Sequence, residues 1–372
     1  MKILLISPVG NLINGGIGKW TGHIMSYYKE HGDGVELKLL SNPKARTNFE
    51  TNTLLQRLVN GFRNYVPLVK SCKKTLRKER FDAVHICTSA SLSLLKDLLI
   101  ARAAHRRHIK TYIHCRFGRL PEVLQSKGLE HRLFNRLIRV AAGIIAIDMR
   151  SFKALRAYGC DKVFYLPNPL APSVEQLVKE NASLRREPGK IVFAGHVMST
   201  KGVYELVEAC RQLKGIKLTM LGYVPDEKVK AELYALAGEG HPTWLDITGA
   251  LPIEDVIREM LSCSVFALPT YTEGFPNVII ESMACACPIV TTPVGAIPEM
   301  LAIDSDAPCG ICVEPKNVDQ LKDALEKLLA DSELAATLGK RAQTRVSEQY
   351  AMEKIWGQLV AIWKGNNQND PR

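Results

Sequence analysis

Two carboxylates, Glu273 and Glu281, stand eight positions apart with Gly274, Phe275, Pro276, Asn277 and Val278 between them. Val278, Ile279, Ile280, Met283 and Ala284 are too dense in apolar side chains for a surface helix, so a largely buried helix is expected to begin near Asn277. The first N–H groups and the dipole of such a helix attract a phosphate. Glu281, one turn in, and Glu273, in the loop before it, can accept hydrogen bonds from sugar hydroxyls. Together these groups have the chemistry to hold a sugar nucleotide.

Lys201 is the next candidate. It follows the apolar run Lys190–Phe193 and the turn Gly195-His196, and it precedes Gly202 and a helix-length segment. Strand, glycine turn, lysine and helix can bring an ammonium onto a diphosphate; a solvated helix start fits the same pattern. After the first strand run, Ile3–Ser7, the glycines at 10, 15, 16 and 18 permit close backbone approach to a ligand or form a tight turn, because the G-x-G-x-x-G spacing is missing. His85 lies in a run ending in polar residues. His114 is expected just past the carboxyl end of the strand Lys110–Ile113, where doubly wound sheets carry their sites. Arg116 and Arg119 are expected to be acceptor-side or structural charges.

These residues need a scaffold, and the chain alternates strand-like and helix-like segments throughout. Strand runs are Ile3–Ser7, Val35–Leu40, Ala83–Ile86, Lys110–Ile113 and Ile144–Ile147, then Lys190–Phe193, Lys217–Leu221, Leu245–Thr248, Val265–Leu268 and Pro288–Thr291. Two such series in 372 residues indicate an α/β protein of two doubly wound, Rossmann-like domains. The expected division is 1–170, a linker over 171–188, a second domain over 189–348, and a final helix with a frayed tail over 349–372. Helices are expected from about Trp20 to His31 and over Thr53–Arg80, the latter kinked or split at Pro67.

Hydrophobic content of 46% and charged content of 23% exclude a disordered or collagen-like chain. Residues 1–170 hold 29 Lys+Arg against 11 Asp+Glu, whereas the remainder holds 20 against 27. The first half is therefore at +18 and the second at −7, which calls for an anionic partner on the first half. Lys70, Lys73, Lys74, Arg77 and Lys78 alternate with apolar positions, a pattern that suits either anionic lipid headgroups or the solvated face of a Rossmann helix. No recognition helix or RNA motif accompanies the charge, so a nucleic-acid partner is not expected. No apolar run reaches the roughly 18 residues that span a bilayer, and the first run suits a strand better than a signal peptide, so a cytoplasmic location is expected. The ten cysteines lie largely in core-like runs and are expected as free thiols. Cys309-Gly310-Ile311-Cys312 has no second pair at zinc-ribbon spacing, so no metal site is expected.

Glu273–Glu281, with Ser282-Met283-Ala284 and the run Pro288–Glu299, resembles the E-x7-E region of the GT4 family of retaining glycosyltransferases. Gly15-Gly16, Asp82–His85, His114, Pro167-Asn168, Gly195 and Lys201-Gly202 extend the resemblance over essentially the whole chain. It implies a GT-B fold, with two Rossmann-like domains facing a cleft and a last helix returning to the first. It also implies transfer of a hexose from a nucleoside diphosphate sugar, UDP- or GDP-linked, to a glycan or lipid-linked glycan acceptor, without a cofactor or metal. In that reading Glu273, Lys201 and His114 serve the reaction: Glu273 binds donor hydroxyls, Lys201 neutralises the diphosphate and His114 contacts the donor sugar. Gly16 faces the diphosphate from the first domain, with Gly15 beside it. Gly195, Gly274, Phe275, Asn277 and Val278 line the sugar and diphosphate, Glu281 holds the ribose, and Gly249 to Pro252, including Leu251, border the base. Where members typically carry arginine after Gly195, this chain has His196, which lacks the bidentate fork and is mostly neutral at pH 7. That departure leaves open an accessory, non-catalytic sugar-nucleotide binder, and a related epimerase would use the same site without an acceptor.

Overall fold

In a computed structural model, described for residues 1–8, 16–32, 34–41, 54–238 and 242–366 and for the backbone alone over 54–62, the chain divides into two units. Unit 1 comprises Met1–Asn168 with Glu353–Arg372, and unit 2 comprises Pro169–Met352. Gly15 lies outside the described residues, as do most of the turn after the first strand and the end of the tail.

Unit 1 runs β1 (Lys2–Ile6), α1 (Gly16–His31), β2 (Glu36–Leu40), α2 (Leu54–Lys78), β3 (Ala83–Thr88), α3 (Ser93–His105), β4 (Lys110–Cys115), α4 (Leu120–Gln125), α5 (Leu129–Val140), β5 (Gly143–Ala146), α6 (Met149–Ala157) and β6 (Val163–Tyr165). Its parallel sheet has the order β2-β1-β3-β4-β5-β6. Side chains alternate between faces along each strand. Leu4, Ile6, Val84, Ile86, Ile113 and Cys115 enter one core with Val69, Cys72 and Leu76 of α2 and Leu94 and Leu98 of α3. The alternate positions, among them His85, Cys87 and His114, turn to the opposite face.

Unit 2 runs α7 (Pro172–Glu180), β7 (Lys190–Ala194), a 3-10 turn at Ser199–Lys201, α8 (Val203–Cys210), β8 (Lys217–Leu221), α9 (Glu227–Ala237), β9 (Leu245–Gly249), α10 (Ile253–Ser262), β10 (Val265–Leu268), α11 (Asn277–Ala284), β11 (Ile289–Thr291), α12 (Ile297–Met300), β12 (Ile311–Cys312), α13 (Val318–Ala330) and α14 (Ser332–Gln349). Its parallel sheet has the order β12-β11-β10-β7-β8-β9, so the strand order reverses between β10 and β7. The last helix, α15 (Met352–Lys364), belongs to unit 1 from Glu353 onward. Ile355, Leu359 and Ile362 are buried, and Trp356 lies with its ring 5.9 Å from that of Tyr27 and 6.2 Å from that of Tyr28.

Several expectations shift. The segment 171–188, expected as a linker, contains α7, which packs on α10 and α11. Pro67 does not split α2, whose assignment runs through it from Leu54 to Lys78. Helix α1 begins at Gly16 instead of Trp20, and β4 continues through His114 to Cys115. His114 is thus inside the strand and faces a layer of the core. All ten cysteines are free, nine of them buried. Among the described residues, no helix is long and apolar enough to cross a membrane.

Helix α14 meets α11 through Gly339, where an added Cβ would sit 2.1 Å from the Ala286 carbonyl oxygen. Helix propensity alone favours alanine there by about 1 kcal/mol, but overpacking costs about 1–3 kcal/mol against a close-packed core and more against fixed backbone. Gly339→Ala is therefore expected to lower the melting temperature by roughly 2–8 °C, at about 2–4 °C per kcal/mol for a unit of this size. Gly128→Ala, which meets nothing within 4 Å, serves as the control; equal melting curves for the two variants would show that the α11–α14 approach is not close.

Candidate functional site

The carboxyl ends of β7 and β10 flank the reversal of strand order in unit 2, the position at which open α/β sheets bind ligands. After β7 the chain turns through Gly195 and His196 into the 3-10 turn, and after β10 through Pro269 and Thr270. The two turns are tied together. Tyr271 N–H donates to the Thr200 carbonyl at 2.9 Å, and the Thr270 hydroxyl donates to the same oxygen at 3.3 Å. Gly202 (φ +69°) closes the join, because a Cβ there would lie 2.0 Å from the Pro269 carbonyl oxygen. This junction brings Lys201 Nζ to 2.5 Å from Glu273 Oε1, in an ion pair whose side chains keep 23% and 13% of their exposure.

A third turn, after β11, grips the other side of the same loop. Ala296 N–H donates to the Gly274 carbonyl at 2.9 Å, and at Gly295 (φ +59°) a Cβ would lie 2.3 Å from the Glu273 carbonyl oxygen. Phe275 is buried with its ring edge-on to Tyr350 at 5.6 Å. Pro276 then starts α11, whose first-turn N–H groups have few intrahelical acceptors. Asn277 and Val278 are half-buried at that end, and Glu281, four residues beyond Asn277 on the same face, is 9% exposed.

The remaining positions of unit 2 lie along the same sheet rim. Gly195 (φ +154°) is half-buried and His196 is exposed, its ring edge-on to Tyr223 at 6.0 Å. Gly249 (φ +78°) ends β9, its carbonyl accepting from Gly222 N–H at 2.8 Å, and Leu251 follows half-buried. Because β8 separates β9 from β7, Gly249 and Leu251 stand about 10 Å along the rim from Gly195. The sequence reading missed Tyr271 and Glu205. The Tyr271 hydroxyl donates to Glu205 at 2.5 Å, its phenol pushed up by burial and by that carboxylate, while Lys316 Nζ lies 5.0 Å from the ring centre. Nothing in the local spacing pointed to Glu205, 66 residues away.

In unit 1, Gly16 opens α1, exposed, and a Cβ there would meet nothing within 4 Å. His114 has no exposed surface. It receives a hydrogen bond across the sheet from His85, whose Nε2 is 3.2 Å from His114 Nδ1, while Trp363 Nε1 donates to His85 Nδ1 at 3.1 Å. Trp20 of α1 stacks on His85 and meets His114 edge-on at 5.0 Å. Arg119 is structural, held by Glu130 and Ser91. Arg116 lies 4.9 Å from the Trp20 ring centre.

The fold and the rim of unit 2 define the class. Residues 175–345 match the family model described as glycosyl transferases group 1, a span that contains Gly195, His196, Lys201, Gly249, Leu251 and the stretch from Glu273 to Glu281. Sucrose-phosphate synthase from Thermosynechococcus elongatus superposes with a TM-score of 0.72 at 17% identity, over 98% of each chain. HepE from Anabaena, solved in complex with UDP, superposes at 0.70 and 16% identity, over 98% of this chain and all of that one. The architecture is thus GT-B, and the resemblance to the GT4, or group 1, glycosyltransferases read from the motifs is borne out. Among sequence relatives, the capsular polysaccharide biosynthesis glycosyltransferase CapM of Staphylococcus aureus is 29% identical over 178 residues, 46% of this chain and 45% of that protein. The alignments to the first curated relatives cover less than half of those proteins' length.

Burial and the nearby Arg116 charge hold His85 down to about 3, and His114 well below its ordinary range. The unfolded chain binds these protons near pH 6.5 and the folded chain does not. Stability is then full above pH 6.5 and falls as the pH drops below it, by up to about 1.4 kcal/mol per pH unit for each imidazole. Denaturant titrations are expected to show roughly 2–4 kcal/mol lost between pH 6.5 and pH 5. A flat profile over that interval would mean that both rings protonate freely in the fold.

Proposed function

We propose that this chain is a retaining glycosyltransferase that moves a hexose from a UDP- or GDP-linked sugar to a glycan or lipid-linked glycan acceptor in cell-surface polysaccharide synthesis. The observation that carries the reading is the Lys201–Glu273 pair, held where the sheet of unit 2 reverses its order and beside the start of α11. The group 1 match over the same residues and the UDP complex of the similarly folded HepE support it.

In this reading the ion pair is the resting arrangement. An arriving diphosphate takes over the Lys201 ammonium, and the first N–H groups of α11 add the helix dipole. Glu273, released from Lys201, accepts from donor hydroxyls, and Glu281 accepts from the ribose. Gly249 and Leu251 border the base, and the backbone of Gly195, Gly274, Phe275, Asn277 and Val278 comes close to sugar and diphosphate. The same reading gives Gly16 the role of a phosphate contact and His114 that of a sugar contact, and the role it gives Gly15 lies outside the described residues. The leaving diphosphate takes the acceptor's proton, so catalysis consists of positioning and of stabilising developing negative charge. Lys201 and the helix end supply that stabilisation without a metal ion or cofactor. His196 lacks the bidentate guanidinium fork that arginine would bring to the phosphates.

Lys201→Ala and Glu281→Ala are each expected to weaken UDP or GDP binding tenfold or more in calorimetry, the loss of a charge-assisted hydrogen bond of about 1.5–3 kcal/mol. Unchanged affinity for every nucleoside diphosphate in both variants would remove the site.

The basic face of unit 1 supports a peripheral contact with an anionic membrane surface on the cytoplasmic side. Helix α2 buries Val69, Cys72 and Leu76, so its exposed Lys70, Lys73, Lys74, Arg77 and Lys78 offer charge without apolar insertion. Lys73 and Arg77 share one groove with Arg106 and Arg107 after α3. Binding of this kind is electrostatic, about 1 kcal/mol per basic residue near the surface. Sedimentation with phosphatidylglycerol vesicles at low salt is expected, with release at high salt and loss in a K73E/R77E variant. Equal sedimentation of that variant, or no binding at low salt, would end the membrane reading.

A further inference from the structure

Four buried nitrogen atoms in unit 1, Trp20 Nε1, His114 Nε2 and Arg116 Nε and Nη1, have no hydrogen-bond partner among the described residues. They belong to three side chains joined through Trp20. The Arg116 guanidinium lies 4.9 Å from the Trp20 ring centre, and the Trp20 and His114 rings meet edge-on at 5.0 Å. Indole and guanidinium nitrogens only donate. The imidazole either donates or accepts, so its tautomer decides what the cluster can bind.

That tautomer follows from the chain of hydrogen bonds behind it. Trp363 Nε1 can only donate, so His85 Nδ1 accepts and the His85 proton is on Nε2. His85 Nε2–H then donates to His114 Nδ1, which leaves the His114 proton on Nε2. The unpartnered His114 Nε2 is thus an N–H donor like the other three atoms. The same logic bears on His85, Cys87 and His114, whose ligand atoms lie within 4.8 Å of one another. A metal on His85 Nε2 would force a proton onto Nδ1, against the indole N–H of Trp363, and burial keeps Cys87 a thiol by pushing it up to about 11.

We propose that Trp20, His114 and Arg116 form a binding site for an anionic oxygen group, a phosphate or a carboxylate, and that Trp363 and His85 are positioning residues that keep His114 a donor. Four donors and no acceptor match a ligand that only accepts. Arg116 is half-buried, but its Nε and Nη1 are shut off from solvent with no carboxylate partner among the described residues, and a bound anion offsets that cost. The local field agrees. Burial brings Arg116 down to about 10. Burial, Lys19 and Arg116 hold His23 down to about 4, and Arg116 acts in the same direction on His85 and His114. The proposal deepens the reading of His114 as a substrate contact, because an anion carried by the donor or the acceptor would be held by unit 1 itself.

The test is NMR of the full chain labelled with 15N in histidine, arginine and tryptophan. Without ligand, both His85 and His114 are expected to show protonated Nε2 and unprotonated Nδ1. His85→Gln, which keeps one acceptor and one donor, is expected to preserve the His114 tautomer, and His85→Leu to mix it. Inorganic phosphate, UDP and glucuronate are then added separately. A shift of His114 Nε2–H together with Arg116 Nε–H and Trp20 Nε1–H is expected with at least one of them, weakened tenfold or more in Arg116→Gln. Phosphate alone would identify a simple anion site, UDP alone the donor's diphosphate, and glucuronate alone a carboxylate-bearing sugar. A protonated Nδ1 on His114, uptake of Zn2+ by His85 and Cys87, or no shift with any probe would overturn the proposal. Retained UDP binding through Lys201 and Glu281 with no shift at the three donors would overturn it and leave the assignment of unit 2 standing.

Discussion

The loop between β10 and α11 is held from two sides, and the candidate site of unit 2 depends on that grip. Thr200 accepts from Tyr271 and Thr270 on one side, and Ala296 donates to Gly274 on the other. Gly202 and Gly295 leave no room for a side chain at either join. Backbone contacts of this kind fix the loop without using the side chains that face a ligand. Glu273 therefore sits opposite Lys201 because the two turns are locked, and the ion pair is their consequence. The part-buried pair keeps only 23% and 13% of its side-chain exposure, so a substrate that separates the two charges must supply partners for both.

The two strand-order reversals do different work. In unit 2 the reversal lies between β10 and β7, and the turns that follow these strands carry Glu273 and Lys201. In unit 1 the reversal lies between β1 and β3, yet the densest unpaired chemistry lies one layer below the rim, on β3, β4 and α1. There the pleat puts His85 and His114 on one face, and α15 supplies the Trp363 donor from 278 residues away. The last helix thus contributes more than an apolar stripe to unit 1, since it sets the proton on a buried imidazole.

What the sequence disclosed follows from range. Glu273, the α11 start at Asn277 and the apolar strands β7, β8 and β10 were legible because each signal is local: a run of β-branched and apolar residues, a proline, a glycine turn. The strands β6 and β12 escaped because three and two residues fall below the length at which a pattern can be counted. Helix α7 escaped because it buries one side chain, Val174, and so shows almost no apolar period. His114 was found but set past the strand instead of within it. That shift of one or two residues separates a rim position from a core layer, because successive residues face opposite sides.

The Lys201–Glu273 pairing and the Trp363–His85–His114 chain were illegible for a deeper reason. Each joins residues whose meeting is decided by the order of strands in a sheet, and nothing in the spacing of 72 or 278 positions encodes that order. Given the topology, the consequences are forced. The pair must form where β7 and β10 become neighbours, and the imidazole proton must move to Nε2 once an indole occupies the far end of the chain. Charge counting could register only that the first half of the chain is basic. The fold divides that charge between an outer face, where Lys73, Arg77, Arg106 and Arg107 share a groove, and the half-buried Arg116, whose Nε and Nη1 are shut off from solvent. Arg116 is the smaller part of the excess by count and the more consequential, because water offsets the exposed charges and leaves buried N–H groups to be matched by a ligand.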